Sequence, residues 1–220
     1  MQSAEIELKF PIADLNRLQS LLPALGFQLD TPRTFEQNTL YDTAARELRV
    51  SKQILRLRNY GGVWTVTHKR PQRNAAITEE IVAPAPRYKV RIETETRLED
   101  GPALAAIFEQ LGYAPVFRYE KFRTEWSQGT GTIGGPLFAD ETPLPARSHL
   151  VIDETPIGDF AELEGAPEWI DATLEKLGID AATCITESYG RLFEAWKQRT
   201  GSAAQNLTFD EIPAVEAVHA

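Results

Sequence analysis

The sequence predicts an α+β protein in which sheet dominates. Three observations carry that expectation. Seven segments alternate polar and apolar residues with period two, the pattern of strands that bury one face. Four stretches space apolar residues at helical intervals and carry start or stop signals at their ends. With 42% hydrophobic and 25% charged residues, the 220-residue chain can bury a substantial core.

The elements follow in order. In 4–10, Ile6, Leu8 and Phe10 share one face, with Glu5, Glu7 and Lys9 on the other. Asp14 is placed to cap a helix through Leu15, Leu18, Leu21 and Leu22 that ends near Pro23. In 54–58, Leu55 and Leu57 oppose Arg56 and Arg58; in 64–69, Trp64 and Val66 oppose Thr65, Thr67 and Lys69. In 89–96, Val90 and Ile92 oppose Lys89, Arg91, Glu93 and Glu95. A second helix is expected after Asp100, with Pro102 in its first turn and Gly112 as its stop. Segment 117–126 sets Lys121, Arg123 and Glu125 against Phe122 and Trp126. Strands 149–154 and 160–164 bring Asp153 and the pair Glu162 and Glu164. A third helix runs from about Pro167 to Leu177 and stops at Gly178, and a fourth opens at Thr186. Stretches 71–87 and 127–148 are rich in Pro with Ala or Gly and read as loops. Residues 1–200 are expected to form a single domain, and 201–220, without periodicity, a flexible tail.

Composition excludes several classes of function. Lys and Arg number 23 against 32 Asp and Glu, a net charge of -9. That disfavours a nucleic-acid partner, because neutralising phosphates wants a net basic surface. No apolar run reaches the roughly 18 residues of a membrane span, and the N-terminus lacks a signal pattern, so a cytoplasmic protein without membrane contact is expected. The single cysteine, Cys184, rules out an internal disulfide and a cysteine-ligated zinc site. A homodimer is compatible with the sequence but nothing in it specifies one.

The net charge hides an asymmetry. Residues 46–123 hold 15 Lys and Arg against 9 Asp and Glu, whereas the rest holds 8 against 23. The strands sort the same way. Glu5/Glu7 and Glu162/Glu164 are paired carboxylates; Arg56/Arg58 and Lys121/Arg123 are paired cations. Two-residue spacing sets each pair on one face, about 7 Å apart along the strand. A single such pair is ordinarily a solvated face. Four pairs sorted by sign, with Lys69 and Asp153, fit inward-facing walls where cations meet a polyanion and carboxylates hold a hard divalent metal. The remaining candidates are weaker. His68 falls on the apolar side of its strand, no histidine cluster exists for zinc, and the glycines of 129–135 lack the Gly-Lys-Ser/Thr of a phosphate loop.

Ordered along the chain, these residues resemble a known family. Glu5-Ile6-Glu7-Leu8-Lys9, Tyr41-Asp42-Thr43, Leu55-Arg56-Leu57-Arg58, Thr67-His68-Lys69, Arg91-Ile92-Glu93-Thr94-Glu95 and Glu120-Lys121-Phe122-Arg123 match the CYTH proteins, the triphosphate tunnel metalloenzymes. The match continues through Ile152-Asp153-Glu154-Thr155-Pro156-Ile157-Gly158 and Asp159-Phe160-Ala161-Glu162-Leu163-Glu164-Gly165, which look most like the class IV adenylyl cyclase branch.

The resemblance implies a closed, eight-stranded antiparallel β-barrel or tunnel with helices packed outside. It implies a triphosphate-containing small molecule as substrate and Mg²⁺ or Mn²⁺ as cofactor. By matching position, Glu5, Glu7, Glu162 and Glu164 would be metal ligands, with Asp153 a nearby ligand or orienter. Lys9, Arg56, Arg58, Lys69, Arg91, Lys121 and Arg123 would grip phosphate oxygens, and Lys69 and Glu162 would be the catalytic residues. The expected reaction is the class IV cyclase conversion of ATP to cyclic AMP and pyrophosphate. The alternatives are hydrolysis of inorganic triphosphate, thiamine triphosphate or nucleoside triphosphates, and non-catalytic binding of polyphosphate or nucleotide.

Overall fold

A computed structural model describes residues 2–71, 87–128 and 148–213, with side chains from Ile6 onward. Eight antiparallel strands close into a barrel in the order β1-β5-β4-β3-β2-β6-β7-β8. The strands are β1 (Gln2–Pro11), β2 (Phe27–Thr43), β3 (Ile54–Tyr60), β4 (Val63–Pro71), β5 (Lys89–Leu98), β6 (Tyr113–Gln128), β7 (Ser148–Thr155) and β8 (Gly158–Glu164). The helices are α1 (Leu15–Leu21), the single turn α2 (Glu47–Val50), α3 (Gly101–Gln110), α4 (Pro167–Leu177) and α5 (Tyr189–Thr200). No described helix is long and apolar enough to cross a membrane. The expected closed barrel is what the chain forms.

The strand absent from the periodicity reading is β2, the longest at 17 residues. Its pairing with β6 shifts register between Leu29 and Thr31, and again between Thr31 and Thr34. Pro32 lies inside that stretch and has no N–H for a ladder. Each shift resets the in–out phase, so alternation never persists long enough to read.

Closure turns the polar strand faces inward, and the apolar core consequently lies outside the barrel. Leu8 and Phe10 of β1, Leu150 and Ile152 of β7 and Leu163 of β8 are buried there. They pack on Leu18 and Leu22 at α1 and on Ile170 and Leu174 of α4. Burying each such side chain contributes about 1.5–3 kcal/mol. The helices are seated by local signals. The Asp14 and Asp100 carboxylates accept from the N–H groups of Arg17 and Ala103, satisfying orphan helix donors. Gly178 ends α4 in the left-handed region at φ 69°, which glycine adopts without a Cβ penalty. Gly101 is needed for a different reason: a Cβ there would sit 2.2 Å from the Trp64 ring, so only glycine lets α3 close on β4.

Two boundaries differ from expectation. Helix α5 starts at Tyr189 rather than Thr186, because the chain before it is used elsewhere. Ile185 and Lys9 exchange backbone hydrogen bonds of 2.8 and 3.2 Å, on the edge of β1 that β5 leaves unpaired. The expected tail from residue 201 is, up to residue 213, packed against the barrel. Leu207 donates to the Arg118 carbonyl at 3.0 Å and accepts from the Glu120 N–H at 2.9 Å. Leu207 is fully buried and Ile212 nearly so, in a second apolar cluster with Tyr119, Phe160, Tyr189 and Phe193. Aperiodic sequence here reflects an extended segment pinned by single residues. Residues 214–220 and the bulk of the two expected loops, 72–86 and 129–147, lie outside the described residues.

Candidate active site

The barrel encloses a cavity of about 550 Å³. Its wall includes Lys9, Arg56, Arg58, Lys69, Arg91, Lys121 and Arg123, all seven cations singled out in the sequence. Glu7, Glu162 and Glu164 face the same space. The side chain of Glu5 lies outside the described residues; its backbone pairs with Arg91 of β5.

Register explains how the acids gather. Glu7 of β1 is the direct cross-strand partner of Glu164 of β8, and Lys9 that of Glu162. Carboxylates directly opposite repel, a cost that a site for cations accepts. Glu162 takes the Lys9 ammonium at 2.8 Å and the Arg123 guanidinium at 2.9 Å. Burial alone would push its carboxyl up, but Lys9, Arg123 and Lys121 outweigh it and hold the group well below the usual carboxylate range. Burial likewise opposes the Lys9 charge, and Glu162 and Glu7 overcome it. Glu7 also pairs with Lys89.

Asp153 occupies a different position from the metal ligand expected of it. It is fully buried and does not face the cavity. Its Oδ1 accepts from Arg123 Nε at 2.6 Å. Its Oδ2 accepts from Lys121 Nζ at 2.8 Å, Arg123 Nη2 at 2.6 Å and the Tyr189 hydroxyl at 2.6 Å. Those donors engage both oxygens, so in this structure the carboxylate holds the Lys121 and Arg123 side chains.

Lys69 lies 3.0 Å from Glu93 across the β4–β5 pair. Glu95 accepts from the Thr67 hydroxyl at 2.6 Å and stands 3.5 Å from Arg56. Six other wall or supporting residues escaped the sequence reading as site residues. Lys89, Tyr119 and Glu125 were within its reach, since they share the alternating faces of Arg91, Lys121 and Arg123. His149, the second residue of β7, also lines the cavity. Glu36 was hidden because β2 was not recognised, and Tyr189 because it enters the barrel from a helix. The Tyr189 ring lies 4.1 Å beneath the Lys9 ammonium and stacks on Tyr119 at 5.8 Å. Burial, then Asp153 and Glu162, push its phenol well above its ordinary value, so it stays a donor. His68 and Cys184 stay structural. His68 Nε2 bonds Gln53 at 2.8 Å, and burial pushes the Cys184 thiol up, away from reactivity.

Charge balance indicates what the cavity can take. Eight Lys and Arg line it, against six Glu in the wall plus buried Glu36 and Asp153 behind it. Among the described residues the formal charges cancel, so a polyanion entering alone would be held by the cations nearest to it rather than by a net positive wall. A divalent cation entering with it would add positive charge. The donor chemistry fits: hard carboxylate oxygens from Glu7, Glu162 and Glu164 suit Mg²⁺ or Mn²⁺. Among the described residues no three acidic, histidine or cysteine side chains converge into a preformed cage.

The comparisons with known proteins agree with this geometry. A protein of Methanocaldococcus jannaschii named "putative adenylate cyclase" is 29% identical over 185 residues, 84% of this chain and 95% of that protein. Two solved structures share the fold at 18% identity. One, from Vibrio parahaemolyticus, has a TM-score of 0.65 and aligns over 86% of this chain and 97% of its own. The other, from Pyrococcus horikoshii, has a TM-score of 0.62 and aligns over 87% and 99%. A third, from Hippeastrum, has a TM-score of 0.56 at 18% identity and aligns over 87% and 96%. The CYTH domain model matches residues 3–189, nearly the whole barrel and the start of the helix that contacts its interior. CYTH proteins are in general triphosphate-cleaving or cyclising enzymes that use divalent metal ions, which is the chemistry this charged tunnel suits. The chain, from its first strand to Tyr189, belongs to the CYTH family.

Proposed function

We propose that this protein is a metal-dependent triphosphatase, cleaving the terminal phosphoanhydride of a triphosphate held in the tunnel. The observation that carries the reading is a set of unsatisfied donors. Arg56 Nε, Arg58 Nε and Arg91 Nη1 are buried in the cavity wall without a hydrogen-bond partner among the described residues. Buried donors without partners are costly, so their retention on three guanidiniums facing one cavity supports an anionic ligand that satisfies them. A triphosphate fits both their charge and their spread over β3 and β5.

In this reading Arg56, Arg58, Arg91, Lys121 and Arg123 bind the phosphate oxygens and fix the chain of phosphorus atoms. A divalent ion on Glu7, Glu162 and Glu164, with Glu5, would neutralise charge on the transferred phosphoryl group and orient water. Glu162 accepts a hydrogen bond from the attacking water. Lys69 stabilises the charge that grows on the bridging oxygen as its bond to the terminal phosphorus breaks. Water adds at that phosphorus, and orthophosphate and the shortened polyphosphate leave. None of these steps requires contacts to a sugar or base. The protein from Hippeastrum, similar in fold, is reported to have a dominant triphosphatase activity.

Cyclisation of ATP is the second reading, favoured by the name of the archaeal relative. It needs the ribose 3′-hydroxyl held in line with the α-phosphorus. The deciding experiment incubates the protein with inorganic triphosphate, thiamine triphosphate and ATP, with Mg²⁺ or Mn²⁺, and resolves every product. Orthophosphate from inorganic triphosphate is expected, lost in chelator and in Glu162→Gln. Cyclic AMP and pyrophosphate from ATP, with inorganic triphosphate left intact, would replace hydrolysis by cyclisation. Binding without turnover of any substrate would leave a non-catalytic binder.

A further inference from the structure

We propose that Glu36, which never touches the cavity, is a positioning residue that aims Arg58 at the triphosphate. The inference rests on the triphosphate reading above. Glu36 is fully buried on β2. Its Oε2 lies 2.6 Å from Arg58, and its Oε1 accepts from Asn38 Nδ2 at 2.8 Å and stands 3.4 Å from Lys121. Arg123 is 3.9 Å away. No oxygen is left for substrate or metal, so any effect of Glu36 on the ligand passes through these cations.

The division of labour between the two buried acids is informative. Lys121 and Arg123 are held mainly by Asp153, at 2.6–2.8 Å. Arg58 has Glu36 as its one ion-pair partner among the described residues. Its guanidinium carbon also lies 4.5 Å from the centre of the Tyr60 ring. A long side chain with a single anchor loses its aim when that anchor is removed. Its rotamer entropy must then be lost again when the ligand binds. Burial disfavours the Glu36 charge, but Lys121, Arg123, Arg58 and Arg56 hold it ionised, so the anchor is a permanent anion.

This role predicts a sign opposite to that of simple electrostatics. Removing a negative charge from behind a phosphate grip should tighten polyanion binding if charge alone matters. Loss of aim should weaken it. The test is calorimetric titration of inorganic triphosphate without metal, which reads binding independently of turnover. Glu36→Gln is expected to weaken affinity about tenfold, the lower range for a charge-assisted contact, and Glu36→Asp to fall between Gln and wild type. In an Arg58→Ala background, Glu36→Gln should change affinity less than twofold, because there is nothing left to aim. Tighter or unchanged binding in Glu36→Gln would overturn the proposal, as would full additivity with Arg58→Ala. Should the Gln variant not fold, wild-type affinity in Glu36→Asp would overturn it alone, since the shorter carboxylate cannot reach Arg58 unmoved. Failure of the wild-type protein to bind triphosphate would instead reject the underlying reading of the site.

Discussion

Asp153→Asn should be among the most destabilising single-atom changes available to this protein, and the reason is countable. The carboxylate is fully buried and accepts four hydrogen bonds, three of them from cations. The amide keeps one acceptor oxygen and replaces the other with a donor NH₂. At the Oδ2 position that donor would face Lys121 Nζ, Arg123 Nη2 and the Tyr189 hydroxyl, all donors themselves. Lys121 would retain Glu36 at 3.4 Å, and Arg123 would retain Glu162 at 2.9 Å. Removing one partner of a buried ion pair costs about 3–5 kcal/mol. For a chain of this length each kcal/mol shifts Tm by about 2–4 °C, so a loss of roughly 6–20 °C is expected. Tyr189→Phe provides the internal standard. It deletes one donor and leaves Asp153 its cations, at a cost of about 1.5–3 kcal/mol. Thermal and urea unfolding, followed by the fluorescence of the four tryptophans, read both variants. If Asp153→Asn costs less than Tyr189→Phe, or under about 1 kcal/mol, the carboxylate does not hold the cation cluster together.

Other expectations follow from the packing. Leu207→Ala should lose about 2–5 kcal/mol in urea unfolding, as for any large buried aliphatic, whereas an unattached tail would show no change. Gly101→Ala should lower Tm at the cost of an overpacked contact, about 1–3 kcal/mol, while metal-free triphosphate affinity stays at the wild-type value. Glu36, whose carboxyl is depressed in the folded state, contributes stability that is fully present above its unfolded value of about 4.3 and lost as pH falls below it. The gap in urea midpoint between wild type and Glu36→Gln should therefore narrow from pH 7 to pH 3; a gap that widens would refute the depressed carboxyl.

Much of the barrel was legible because strand alternation is local. A residue pair two apart, such as Arg56 and Arg58, must share a face whatever the chain does elsewhere. Sorting of such pairs by sign then pointed to an enclosed polar interior, and every described cation of the set lies on it. Helix caps at Asp14 and Asp100 and the stop at Gly178 were equally local, each a single residue satisfying backbone groups beside it.

What only the tertiary structure decided has a common physical cause: it depends on where alternation restarts or on partners far apart in sequence. The bulges around Pro32 erased the phase of β2 and with it Glu36. The resemblance implied that Asp153 is a nearby metal ligand or an orienter; Lys121 and Arg123 of β6 and Tyr189 of α5 converge on it from far along the chain and engage both its oxygens. The segment after residue 200 carries no period, because Leu207 is held through the backbone edge of β6, a contact no side-chain pattern encodes. Spacing set cations and carboxylates in pairs on shared strand faces, and the family resemblance implied that those faces line one interior. Which acids remain available to a ligand and which are spent on holding cations was decided by closure of the barrel, because burial leaves an ion no partner but its neighbours.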